Sequence, residues 1–133
     1  MQLTLLKSKI HRGTVTQADL EYEGSCAIDA DLLQASGLRQ YERIEIYNLT
    51  NGERFATYAI QGQPGSGTIC INGAAARLVS RGDLVIIASW QEMEHQAARA
   101  HKPKLVFVDE NNRRKDPQRD HEEPGQGDLK KAI

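Results

Sequence analysis

Arg43-Ile44-Glu45-Ile46-Tyr47-Asn48-Leu49, then Asn51-Gly52, then Arg54-Phe55-Ala56-Thr57-Tyr58-Ala59-Ile60: this run decides the fold class. Its first seven residues alternate polar and apolar, the period of a half-buried strand, because neighbouring strand side chains point to opposite faces. Asn-Gly accepts the positive φ that a type I′ turn needs, so the second segment is expected to be the antiparallel partner. Outward from this hairpin, residues 3–10 read as a strand continued by 14–16, and 26–28 as a short apolar segment. Residues 29–37 carry helix punctuation, with Asp29 as N-cap and Gly37 as stop. Pro64-Gly65-Ser66-Gly67 is a turn into a strand at 68–71, and 72–79 a turn feeding a short helix. The β-branched run 84–88 reads as a buried strand, 92–100 as a weak helix stopped before Pro103, and 104–108 as a last strand. Short strands with small helices imply a compact, mainly β barrel.

Composition sets limits on function. The chain has 133 residues, 39% of them hydrophobic, enough for one small domain with its own core. A net charge of −1 leaves no basic footprint for nucleic acid or an anionic membrane surface. No apolar run is long enough to span a bilayer, and residues 1–10, with two lysines and too short an apolar stretch, are not expected to act as a signal peptide. Two cysteines, Cys26 and Cys70, make no disulfide framework, so a cytoplasmic location is expected. From 109 to 133 the character changes: thirteen of these 25 residues are charged. That segment cannot bury enough apolar surface to offset its ordering entropy and is expected to be a disordered tail, with residues 1–108 as the domain.

One peptide bond stands out chemically. In Tyr22-Glu23-Gly24-Ser25-Cys26, the Ser25 hydroxyl can attack the preceding Gly24 carbonyl and turn the amide into an ester. Glycine there lets the backbone take unusual torsions. A second Gly-Ser, Gly65-Ser66, sits in a turn by composition. The histidines His11, His95, His101 and His121 lack metal-ligand spacing, so no metal is expected. Gly24 belongs to no phosphate-cradling loop, and Ser25 lacks the glycine pattern of a nucleophile elbow. Cys26 has no identifiable base and reads as a small core residue.

Four motifs occur in order: Lys9-Ile10-His11-Arg12, the 22–26 stretch, Asn51 through Tyr58, and Asn72-Gly73-Ala74-Ala75-Ala76. Together they resemble the aspartate 1-decarboxylase family over roughly residues 1–108. The resemblance implies a six-stranded double-psi β-barrel that cuts itself between Gly24 and Ser25 and converts Ser25 to a pyruvoyl group. That group would replace pyridoxal phosphate as the electron sink for losing carbon dioxide from L-aspartate, giving β-alanine for pantothenate synthesis.

By the same resemblance Thr57 donates to the oxyanion formed at Gly24, and Tyr58 is the general acid that protonates the product. Arg54 suits one substrate carboxylate through paired hydrogen bonds, and Lys9 the other as a point charge. Asn72, Gly73, Ala74 and Ala75 would flank the pyruvoyl, with Tyr22 and His11 as secondary residues that line the site or assist processing, and Tyr47 as a third. Thr57 and Tyr58, adjacent on one strand, should face opposite sides. Family members form homotetramers with sites between subunits, which would resolve the conflict, and some need a maturation factor. The rival reading is a non-catalytic double-psi barrel that acts as a binding or scaffold module.

Overall fold

The computed structural model describes residues 1–115. In chain order the elements are β1 (Gln2–Thr14), β2 (Gln17–Asp19), β3 (Ser25–Asp29), α1 (Ala30–Ser36), β4 (Arg43–Asn48), β5 (Arg54–Gly62), β6 (Ile69–Asn72), a 3₁₀ helix (Gly73–Leu78), β7 (Leu84–Glu94), α2 (His95–Ala98) and β8 (Lys104–Phe107). The strands form one sheet in the order β2-β6-β3-β5-β4-β7-β1-β8.

The fold is mainly β, as expected, with eight strands rather than six. The three-residue β2 is too short to show any periodicity. β1 and β2 are separated only by Val15 and Thr16, yet they lie far apart in the strand order. The sheet therefore curls: Val15 N–H donates to Asp83 O and the next N–H, of Thr16, to Ile69 O (2.9 and 2.8 Å). Among the described residues no ladder joins β2 to β8.

Inside the curl sit Ile10, Ile28, Ile44, Ile46, Ile69, Ile71, Val85, Ile87 and Val106, all fully buried. Each contributes roughly 1.5–3 kcal/mol by leaving water. Their stiff β-branched side chains also favour strand backbone. With so few aromatic residues, aliphatic packing carries the core.

The helix signals at 29–37 hold. Asp29 Oδ1 accepts from Asp31 N–H (2.8 Å), and Gly37 ends α1 in the left-handed conformation at φ 73°. Asp29 does more than cap. It also accepts from Gly65 N–H (3.0 Å) and Gly67 N–H (2.8 Å), which ties the 64–67 turn to the helix start.

Two local expectations are corrected. The β4–β5 pairing is antiparallel, with Tyr47 opposite Arg54, but the connection is not a two-residue type I′ turn. Only Gly52 has positive φ there (82°), and Asn48 Oδ1 draws the Thr50 N–H into a local turn, so the loop spans 49–52. The helix expected at 92–100 shrinks to α2, because β7 runs on to Glu94 in register with β1. Tertiary pairing overrides helix propensity there.

The fold also continues past Val108. Val108 bridges Arg114, and Asn112, only 2% exposed, ties this hairpin to two distant loops. Its Oδ1 accepts from Thr14 N–H (2.8 Å), while Nδ2 donates to Thr14 O (2.9 Å) and Gly67 O (2.7 Å). The rest of the expected tail, 116–133, lies outside the described residues. No helix among the described residues is long and apolar enough to cross a membrane.

Candidate functional site

β3 runs between β5 and β6, parallel to the first and antiparallel to the second, so the Gly24-Ser25 bond enters the sheet at a crowded point. Ser25 is fully buried and directly opposite Asn72. Its φ is 130°, a conformation rare for a residue with a side chain and costing on the order of 1–3 kcal/mol. The strain therefore falls on the serine, not on Gly24, whose freedom the sequence had suggested as the cause.

Glycine matters instead at Gly73, which has φ 71° at the start of the 3₁₀ helix. A Cβ there would lie 2.8 Å from Gly24 Cα and 3.3 Å from Tyr22 O. Gly73 thus lets the 22–24 loop press directly on the helix backbone.

Two polar contacts address the bond. Tyr58 Oη donates to the Gly24 carbonyl (3.1 Å), and Asn72 Nδ2 donates to Ser25 Oγ (3.3 Å). The hydroxyl bonded to the carbonyl belongs to Tyr58, while Thr57 is half-buried on β5 opposite Ile44. Thr57 and Tyr58 nevertheless line one surface cavity of about 580 Å³, together with Tyr41, Arg43 and Ala56.

Tyr41 and Arg43 had no signal in the sequence. Tyr41 is held at φ 72° with its N–H on Ala59 O (2.7 Å), and its ring lies 6.5 Å from that of Tyr58. Arg43 is the cross-strand partner of Tyr58. Only the β4–β5 register puts it there.

The remaining expected residues divide into two groups. Ser25, Gly24, Asn72, Gly73 and Tyr58 converge on the bond, whereas Tyr22 brings only its backbone carbonyl near Gly73 and its side chain is exposed; Ala74 and Ala75 follow Gly73 on the 3₁₀ helix, exposed and half-buried. Arg54, Tyr47, Lys9 and His11 lie elsewhere. Arg54 is exposed with its guanidinium 3.9 Å over the Tyr47 ring, and Tyr47 Oη donates to Glu45 (2.9 Å). Burial and the Glu45 carboxylate push the Tyr47 phenol above its ordinary pKa. Lys9 pairs across to Ala88 on β7 and His11 packs edge-on against Phe107, both on β1, four strands from β3 along the sheet.

Cys26 is fully buried, and burial pushes its thiol well up, which removes it as a nucleophile. Among the described residues no group of three or more His, Cys, Asp or Glu side chains could hold a metal ion.

This geometry has known relatives. Residues 1–115 match the family described as Aspartate decarboxylase. The chain belongs to that family. Proteins named Aspartate 1-decarboxylase from Syntrophotalea carbinolica and Methylococcus capsulatus are 57% and 58% identical to it. They align over all of both chains, and over 84% of this chain and 89% of the relative, respectively. The protein of that name from Bordetella avium is 57% identical over 87% of this chain and 95% of its own. Membership in the aspartate decarboxylase family extends through residue 115 and so takes in the Asn112 hairpin.

Proposed function

We propose that this member of the family is a carboxy-lyase that converts L-aspartate to β-alanine and carbon dioxide, feeding pantothenate synthesis, after cutting itself between Gly24 and Ser25. One observation carries the self-cutting. Ser25 is buried in a positive-φ conformation, with a donor on its own oxygen and a second donor on the carbonyl it would attack.

In the first step Ser25 Oγ bonds to the Gly24 carbonyl carbon, the C–N bond breaks, and the hydroxyl proton ends on the freed amine. Negative charge grows on the Gly24 oxygen, where the Tyr58 hydroxyl already points. This gives Tyr58 the oxyanion role that the sequence motif suggested for Thr57; Thr57 borders the same cavity as a second wall. Loss of the Ser25 α proton then breaks the Cβ–Oγ bond, Oγ departs on the Gly24 carboxylate, and hydrolysis releases ammonia to leave the pyruvoyl group. Ser25 and its surroundings suit that group: it needs no metal and no separate cofactor site. Once formed, it supplies the electron sink for decarboxylation.

The substrate side draws on a second copy of the chain. Arg54 lies four residues from Tyr58 on β5, about 13 Å along the strand. Lys9 is on β1, three places from β5 in the strand order. A dicarboxylate as small as aspartate cannot bridge that span within one protomer, so we assign Arg54 and Lys9 to the site of a neighbouring subunit in a homotetramer. The catalytic unit takes in residues 109–115, because Asn112 holds the loops at Thr14 and Gly67.

Intact mass of the denatured protein tests the reading. Two fragments are expected, split after Gly24, the larger lighter by one ammonia than a serine-started chain. A single uncut mass that persists on heating and on incubation with cell extract would favour the scaffold reading.

A further inference from the structure

Asn72 touches the reactive serine with only one end of its amide. The other end, Oδ1, accepts from Cys70 Sγ at 3.2 Å. Cys70 and Asn72 lie two residues apart on β6, so their side chains share a face, and Asn72 is 4% exposed. A buried amide can turn over and exchange its oxygen and nitrogen at little steric cost. What fixes it is the donor or acceptor character of its neighbours. A thiol that keeps its proton donates to oxygen and so leaves the NH₂ facing Ser25. Reversed, the amide would put an acceptor against Ser25 Oγ and hold the hydroxyl proton on the wrong side.

We propose that Cys70 is a positioning residue for self-cleavage, which acts by locking the Asn72 amide with its N–H groups toward Ser25 Oγ. The inference rests on the self-cutting reading above. It matters twice, because the same oxygen is first the nucleophile and later departs on the Gly24 carboxylate. A fixed N–H donor at that atom gains strength as the carboxylate forms. The surroundings keep the thiol protonated: burial first, and then the Asp19 carboxylate, push Cys70 above its ordinary pKa. Asp19 faces Asn72 in the β2–β6 pairing, two residues along from the Gln17–Cys70 pair.

The test follows the cut fraction of full-length protein by intact mass at set times after synthesis, with melting temperature recorded for every variant. Cys70→Val removes the donor and keeps a strand-compatible shape; Cys70→Ala is the second variant, should valine crowd the site. Either is expected to slow cleavage roughly threefold to tenfold, the worth of one modest hydrogen bond. Cys70→Ser, which still donates, is expected to cleave at the wild-type rate. In an Asn72→Ala background Cys70→Val should add nothing, because the amide it positions is gone.

The proposal is overturned if both Cys70→Val and Cys70→Ala cleave like wild type. It is equally overturned if serine fails to rescue, or if Cys70→Val slows the Asn72→Ala protein by the same factor. A wild-type chain that never cuts is a different result: it overturns the self-cutting reading, and this role with it.

Discussion

The chain holds two Gly-Ser pairs, and the fold treats them in opposite ways. At Gly65-Ser66 the positive φ (75°) falls on the glycine, where it costs nothing. Ser66 is exposed and its hydroxyl is occupied, donating to Gln63 O at 2.6 Å with Thr68 Oγ1 at 2.8 Å. At Gly24-Ser25 the positive φ falls on the serine, which is buried, and the preceding carbonyl is held by Tyr58. One dipeptide is thus a relaxed turn and the other a strained bond. The dipeptide does not distinguish the two; which residue bears the positive φ and what faces the carbonyl does.

The contrast can be broken most completely at its centre. Ser25→Ala is expected to abolish cutting and all decarboxylation; one mass spectrum and one β-alanine assay suffice, and surviving activity would refute the mechanism. Gly73→Ala should come next. Its new Cβ would press on Gly24, so the fold must yield, at a cost of at least about 2 kcal/mol, and cleavage is expected to fall by a hundredfold or so. Time-resolved gels with a denaturant melt would check both parts.

Tyr58→Phe keeps the ring and removes the donor on the Gly24 carbonyl. Cutting should slow by roughly tenfold to a hundredfold without much change in stability. Arg54→Ala sharpens the division of labour, because cleavage should proceed normally while turnover of aspartate collapses. Loss of both together would place Arg54 in the processing machinery.

The mildest changes belong to the other pair. Ser66→Ala should alter stability by less than about 1 kcal/mol and leave cutting untouched. Acid should act on that loop through Asp29. Burial alone would raise its pKa, but the N–H groups of Gly67, Asp31 and Gly65, with Arg113 nearby, hold it below its usual value of 3.8. A depressed folded pKa means that the stabilisation is present above the unfolded value. It is lost as pH falls through the lower, folded one. Urea midpoints taken from about pH 6 down to about pH 3 should therefore drop, and Asp29→Asn should flatten that slope.

Much of this was legible without coordinates. The 43–60 hairpin, the Asp29 cap and the Gly37 stop follow from period-two alternation and from single-residue torsional preferences, which are local properties of the chain. The ordered motifs were enough to point to the family. Simple pattern rules failed at two places: the Asn48 side chain, two residues before Thr50, captures the 49–52 loop, and the distant β1 draws the 92–94 segment into β7.

What the sequence by itself determined is therefore most of the longer elements, the mainly β class and the bond worth watching. Tertiary structure alone decided that Ser25 rather than Gly24 carries the strain, that Tyr58 rather than Thr57 reaches the carbonyl, that Gly73 clears space for Gly24, and that Asn112 binds the last hairpin into the fold. The physical reason is the same in each case. These contacts join residues 34 to 98 positions apart, and no local torsional preference encodes them. They exist only because packing fixes β3 between β5 and β6, and the end of β1 beside the 109–115 hairpin.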